Sequence, residues 1–301
     1  MTAGTAGETA RELLNDPSFA RGFNLLSATP GHRVVVGRFQ FATAEPPPVW
    51  DLAQWNSRRP LTGNEVVSGI DATHGLSNAV KSVTVRNPGT ASAELSLGID
   101  SRGEYDRPRR DGEPWPHLLV QQAVADCPPL VSLARLDLAI EARLDRNEVF
   151  RGPEYRRDRH CAQCPLVLIV QNRNADSAGH GDFFWFSVPL FDDRWPAPPP
   201  HVAQDTADPS AKLIYNPGLR AYTDQTLTEG EWVKLEIDLL PHLLDGLRVA
   251  GEKGYLRDSH EPADFRITSF ILGWEVPGMN RAEITFRDLH LTAIPMTDER
   301  R

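Results

Sequence analysis

The chain has 301 residues, 40% hydrophobic and 24% charged, with a formal net charge of -9. That length can bury a large core, and the acidic balance supplies no general basic field for nucleic acid or an anionic membrane. With 25 prolines and 22 glycines, the composition favours many turns over long helices.

The N-terminus, "MTAGTAGETARELLNDPSF", has neither the basic start nor the apolar run of a signal peptide. No stretch approaches the roughly 20 apolar residues of a membrane-spanning helix. The expectation is a cytoplasmic protein that engages no membrane and no nucleic acid. "ETARELLND" predicts a short amphipathic helix within an N-terminal extension over residues 1–29.

From residue 30 the pattern changes to period two or to short apolar runs bounded by turn residues, which is how strands read. In order these are "RVVVGRFQFA", "NAVKSVTVRN", "AELSLGIDS", "HLLVQQAV", "LARLDLAIEARL", "PLVLIVQN" and "DFFWFSVPLFD". "EWVKLEIDLL" follows, and then "PHLLDGLRVAGEKG", whose Pro241, leucine spacing and closing glycines predict the longest helix. "RITSFILGWEV" and "RAEITFRDLHLTAI" complete about ten strands. Strands without helices between them argue for antiparallel sheets packed face to face. The fold expected is all-β: one antiparallel two-sheet β-sandwich domain over residues 30–295, with a C-terminal tail over 296–301.

The closing pair "SFILGWEVPG" and "RAEITFRDLHLTA" resembles the end of jelly-roll carbohydrate-binding and concanavalin A-like domains. In those domains a penultimate strand carries a Trp or an acid, and the final strand alternates beside an edge. "WPHLLVQQ" and "FFWFSVPLFDDR" are similar to concave-face strands of that superfamily. The resemblance spans roughly residues 30 to 295 and implies a jelly-roll, concanavalin A-like sandwich. The "E-x-D-x-x-E" run of one large glucanase group is missing, and fold alone does not carry activity.

Strand parity in "DFFWFSVPLFD" places Phe184, Phe186, Val188 and Leu190 on one face and Phe183, Trp185, Ser187 and Phe191 on the other. The first set suits a core, and the second mixes Trp with Ser as a ligand face does. Pro189 donates no ladder bond, so the strand is an edge or bulged there. Asp192, Asp193 and Arg194 then stand at the rim, either as a site or as a turn-capping ion pair. Glu275 shares parity with Ile271 and Gly273 inside an apolar run. A carboxylate there either pairs with a cation or faces an open cleft. His117 and Gln121 are two steps apart on one side of their strand, and Gln171 ends an apolar strand. Each reads as a hydroxyl-binding group or as an ordinary strand-end polar residue. Of seven tryptophans, two or three are expected to meet ligand, since flat rings stack on sugars.

"HCAQC" sets Cys161 and Cys164 at C-x-x-C spacing beside His160, with Cys127 elsewhere. Without a second closely spaced pair this is a poor zinc framework, so neither metal nor cofactor is expected. Arginines cluster at Arg107, Arg109 and Arg110 and at Arg151, Arg156, Arg157 and Arg159, as solvated loops or as the rim of an anionic-substrate site.

The leading reading is a glycoside hydrolase acting on an oligosaccharide or glycoside, with carbohydrate as its partner. Glu275 and Asp192 would be its two carboxylates, with Glu148 or Glu154 as substitutes. His117, Gln121, Trp185, Arg194, Trp274 and Gln171 would bind substrate. The alternatives are a non-catalytic glycan-binding module, a lyase leaning on His117, Tyr155 and an arginine, and a structural domain without a pocket.

Overall fold

The structure, a computed structural model, describes residues 9–41, 46–68, 72–206 and 211–296. In chain order its strands begin with β1 (Arg11–Glu12), β2 (Phe23–Leu26), β3 (Val35–Phe39), β4 (Trp50–Ala53), β5 (Val66–Ser68) and β6 (Thr73–Ser77). Next come β7 (Lys81–Arg86), β8 (Glu94–Asp100), β9 (His117–Ala123), β10 (Leu133–Val149), β11 (Gln163–Asn172) and β12 (Phe183–Asp192). The remainder are β13 (His201–Gln204), β14 (Leu213–Asn216), β15 (Trp232–Asp238), the helix α1 (Leu240–Glu252), β16 (Phe265–Glu275) and β17 (Asn280–Pro295).

They form two layers. Sheet A has the order β15-β10-β17-β8-β7-β6-β5, with β1 also on β17, and sheet B the order β13-β14-β12-β11-β16-β9-β4-β2-β3. All pairings between these strands are antiparallel except β2 with β4 and β12 with β14. The ten longer predicted strands are all present, and the expected β-sandwich is the fold. Alternation explains the layering: Leu166, Leu168 and Val170 of β11, Phe184 and Phe186 of β12 and Ile284, Phe286 and Leu291 of β17 are buried between the sheets.

Two expectations fail at the N-terminal end of the chain. "ETARELLND" is not helical over its described residues; Arg11–Glu12 pairs with Thr292 and Ala293 of β17. Leu13 and Leu14 enter the core, and Phe23–Leu26 is an interior strand of sheet B. The apolar residues of this segment gain more from the sandwich than from a lone helix of two turns. The extension expected over residues 1–29 is thus part of the sandwich from residue 11 onward; residues 1–8 and the tail beyond 296 lie outside the described residues.

The predicted helix is α1, with Pro241 in its first turn. Its Gly246 packs against β12, where a Cβ would come within 2.8 Å of the Phe184 ring. No helix among the described residues is long and apolar enough to cross a membrane.

Candidate functional site

The face of sheet B turned away from the core carries the site. Registers align one row across four strands: Asp192 of β12 with Gln163 of β11, Gln163 with Glu275 of β16, and Glu275 with His117 of β9. A bulge places Asp192 in it. Between Cys164 and Pro165 the register of β11 against β12 slips by a residue, so Phe191 turns inward against Trp274 and Asp192 turns outward. Simple alternation had put Phe191 beside Trp185; the bulge reverses that. Pro189 sits at this slip, and β14 pairs with β12 only at Trp185 and Phe186, so Pro189 meets no missing ladder partner.

Within the row, Gln163 Nε2 donates to Glu275 Oε2 at 2.9 Å, and His117 Nε2 stands 4.0 Å from the same oxygen. Glu275 is 22% exposed in its side chain, and among the described residues its one ion-pair neighbour is His117. Burial pushes the His117 imidazole below its ordinary range, against the pull of Glu275, so the ring is neutral at pH 7. Arg194 Nε and Nη2 donate to the two oxygens of Asp192 at 2.8 and 2.5 Å. The fork raises the affinity of Arg194 for its proton. Arg194 Nη2 also reaches Gln163 Oε1 at 3.5 Å, so the carboxamide lies between the two charged groups.

Aromatic rings wall the row. Trp115 stacks on His117 with centroids 5.8 Å apart, and Trp55 meets the same imidazole edge-on at 5.5 Å. Trp185 and Trp55 pack on a small apolar floor of Leu26, Ala53, Leu119 and Ile271. Four buried polar atoms in this region, Ser27 Oγ, Trp115 Nε1, His117 Nδ1 and Trp185 Nε1, have no hydrogen-bond partner among the described residues. Leaving each unmade costs about 1–3 kcal/mol, and such groups in native proteins are completed by water or ligand. Gly273 serves the backbone: a Cβ there would meet the Leu118 carbonyl oxygen at 2.4 Å.

Glu275, Asp192, His117 and Arg194 therefore come together in one row, with Trp185 and Gln121 further along the same face. Two expected site residues do not join them. Trp274 points between the sheets, fully buried, with Nε1 donating to the Leu97 carbonyl at 2.9 Å; strand alternation forces it to the face opposite Glu275. Gln171 lies eight residues from Gln163, about 26 Å along β11, and its Nε2 donates to the Gly181 carbonyl. Glu148 belongs to sheet A, and Tyr155 packs on His160 in a loop. Sequence reasoning missed Gln163, Trp55 and Trp115. Gln163 was visible as the polar residue within "HCAQC", and Trp115 shares the parity of His117.

Next to Asp192, Asp193 faces the interior end of the sheets, where Oδ2 accepts from Ala162 N at 3.1 Å and Asn280 Nδ2 at 2.7 Å. Burial lifts its carboxyl to about 6. Cys161, Asp192 and Asp193 offer ligand atoms within 4.8 Å of one another, but Arg194 already occupies both oxygens of Asp192. His160 uses Nδ1 to accept from Arg156 N and Nε2 to meet the Arg109 carbonyl, so the Cys–His set does not assemble. All three cysteines are buried free thiols, and burial pushes Cys127 up to about 11.

No family model matches the chain, and no curated protein matches it in sequence. Solved structures do resemble it in fold. Endoglucanase Cel12A from Rhodothermus marinus is 11% identical, with a TM-score of 0.40 over 75% of this chain and 93% of that one. The catalytic domain of Humicola grisea Cel12A, in complex with a thio cellotetraose, is 12% identical with a TM-score of 0.43, covering 76% and 95%. The xyloglucanase domain of NopAA from Sinorhizobium fredii, in complex with cellobiose, is 11% identical with a TM-score of 0.37, covering 75% and 94%.

Proposed function

We propose that the outer face of sheet B takes a carbohydrate and that the chain is a glycoside hydrolase acting through Glu275 and Asp192. The observation that carries this reading is the row Asp192–Gln163–Glu275–His117, a line of carboxylates, amide and imidazole walled by tryptophans. Indole faces suit the apolar faces of sugar rings, and the unpartnered Trp and His donors suit hydroxyl oxygens.

The backbones of Glu275 and Asp192 are two strand steps apart, about 9.5 Å at ~4.8 Å per step. The Gln163 carboxamide lies between the two acids, and a gap wide enough for a water molecule suits an inverting hydrolase. In this scheme Glu275, one oxygen held by Gln163, is the acid that protonates the leaving oxygen. Asp192 is the base that takes a proton from the attacking water. His117, neutral and adjacent, holds a hydroxyl.

One observation favours a second reading, a glycan-binding face without catalysis: both oxygens of Asp192 are already engaged by Arg194. A panel of oligosaccharides separates the two. Hydrolysis expects new reducing ends, abolished in Glu275→Gln, with an inverted anomer as first product. Binding without release of reducing ends leaves the module reading, and no binding to any carbohydrate removes both.

A further inference from the structure

A second Asp–Arg fork occupies the opposite side of the same face. Asp51 of β4 is in register with Gln121 of β9, which is in turn in register with Ile271 of β16. Arg33 donates to the two oxygens of Asp51 through Nε at 2.7 Å and Nη2 at 2.9 Å, and Asn24 Nδ2 adds a bond at 3.0 Å. The carboxylate is nearly buried, 8% exposed in its side chain, while the Arg33 side chain is 61% exposed. The fork thus holds a guanidinium in solvent on an anchored acid. Beside it the Gln121 carboxamide makes no hydrogen bond among the described residues.

Between this corner and Glu275 lies the apolar floor of Leu119, Ile271 and Ala53, with Trp55 and Trp185 packed on it. Asp51 is two strand steps across from β16 and four residues along it from Glu275, about 16 Å in all on standard strand spacings. A single sugar ring does not reach from one to the other. A chain of several units does, with its middle rings over the indoles.

Taking the outer face as the carbohydrate surface proposed above, we infer that Arg33, Asp51 and Gln121 form a remote recognition site for the same ligand, and that the substrate is an oligosaccharide chain. The exposed guanidinium and the free carboxamide donate to ring hydroxyls, and Asp51 fixes the guanidinium plane. Nothing in this corner touches the bond at Glu275. Arg33 and Gln121 therefore set specificity for chain length.

The test uses a glycan array with chains from monosaccharide to hexasaccharide, followed by titration of the chains that bind. Arg33→Ala and Gln121→Ala should each weaken the longest bound chains about tenfold, the scale of a lost charged or exposed-face hydrogen bond. Mono- and disaccharides should change by less than twofold. In turnover the same variants should raise KM for long chains and leave kcat in place. Gln121→Ala strands no charge, so it carries the test even where Arg33→Ala, which leaves the nearly buried Asp51 carboxylate without its guanidinium, melts lower; melting temperatures of both variants separate folding from binding. Equal losses for short and long chains, or no loss for long ones, overturn this inference and leave the preceding reading standing. Failure of the wild-type protein to bind any chain overturns both.

Discussion

Gln163 Nε2 donates to Glu275 Oε2 at 2.9 Å, while its other amide atom faces Arg194, so the one unreactive side chain of the row orients the carboxylate at its centre. Glu275→Gln keeps the shape of this arrangement and removes the ionisable group. Hydrolysis should fall at least 10²-fold. With no arginine or lysine left unpaired, stability should change by less than about 1 kcal/mol. A chemical melt of the variant checks this: a loss of several kcal/mol would make Glu275 a structural charge.

Asp192→Asn should behave differently. It leaves the Arg194 guanidinium, 25% exposed, without its fork, and should cost about 2–3 kcal/mol, below the range for a fully buried pair. The double variant Asp192→Leu, Arg194→Met should be less destabilised than the single one. Additive losses in that cycle would mean that the pair contributes little coupling.

Two groups give the protein opposite pH responses. Asp193, lifted to about 6, binds its proton more tightly folded than unfolded. Its contribution to stability is therefore greatest below its ordinary value of 3.8 and is lost as pH rises through 6. His117, depressed by burial, takes up a proton more readily unfolded, so stability is lost as pH falls below about 6.5. Asp193→Asn should melt higher than the parent at pH 7, by about 3 kcal/mol at most, and lose that advantage near pH 4. His117→Gln should flatten the fall on the acid side of neutrality. Melting temperatures across pH 4 to 8 read both, and profiles parallel to the parent would refute them.

Lys81 and Glu104 form an ion pair with side chains 0% and 1% exposed, completed by Ser57 Oγ and the Arg58 amide. The cluster tethers the loop that carries Trp55 to the start of β7 in sheet A. Glu104→Gln should cost about 3–5 kcal/mol, because it strands a buried ammonium. Replacing both by apolar residues of similar size should cost less. If the single and the double variant melt together, the charge of Lys81 is not what the single change exposes.

The long strands were legible in the sequence because ten of them alternate over enough residues to show period two. The seven others have between two and five residues, too short to show a period, and they include one edge of each sheet, β5 and β13. That is why Asp51 on β4 went unnoticed although it anchors a fork. Glu275, His117 and Arg194 were found by a general rule, a polar residue inside or closing an apolar strand. Trp274 was misread because composition cannot say which face an indole takes, whereas its neighbour Glu275 decides it. Gln163 escaped because its meaning is a cross-strand register, and register depends on a bulge that the sequence does not announce.

The order of the sheets has a kinetic consequence. β17 lies between β10 and β8 in sheet A, and β16 lies between β11 and β9 in sheet B. Both layers thus keep an interior place open for β16 and β17, which follow the other described strands in the chain. Until those arrive, β10 and β11 each lack a neighbour in the middle of a sheet, with their longest-range contacts still to form. Folding should be slow, and chains halted before residue 265 should aggregate or occupy chaperones. Glu275 enters with β16, so the row that would act on a sugar comes into being only when β16 has closed sheet B between β11 and β9.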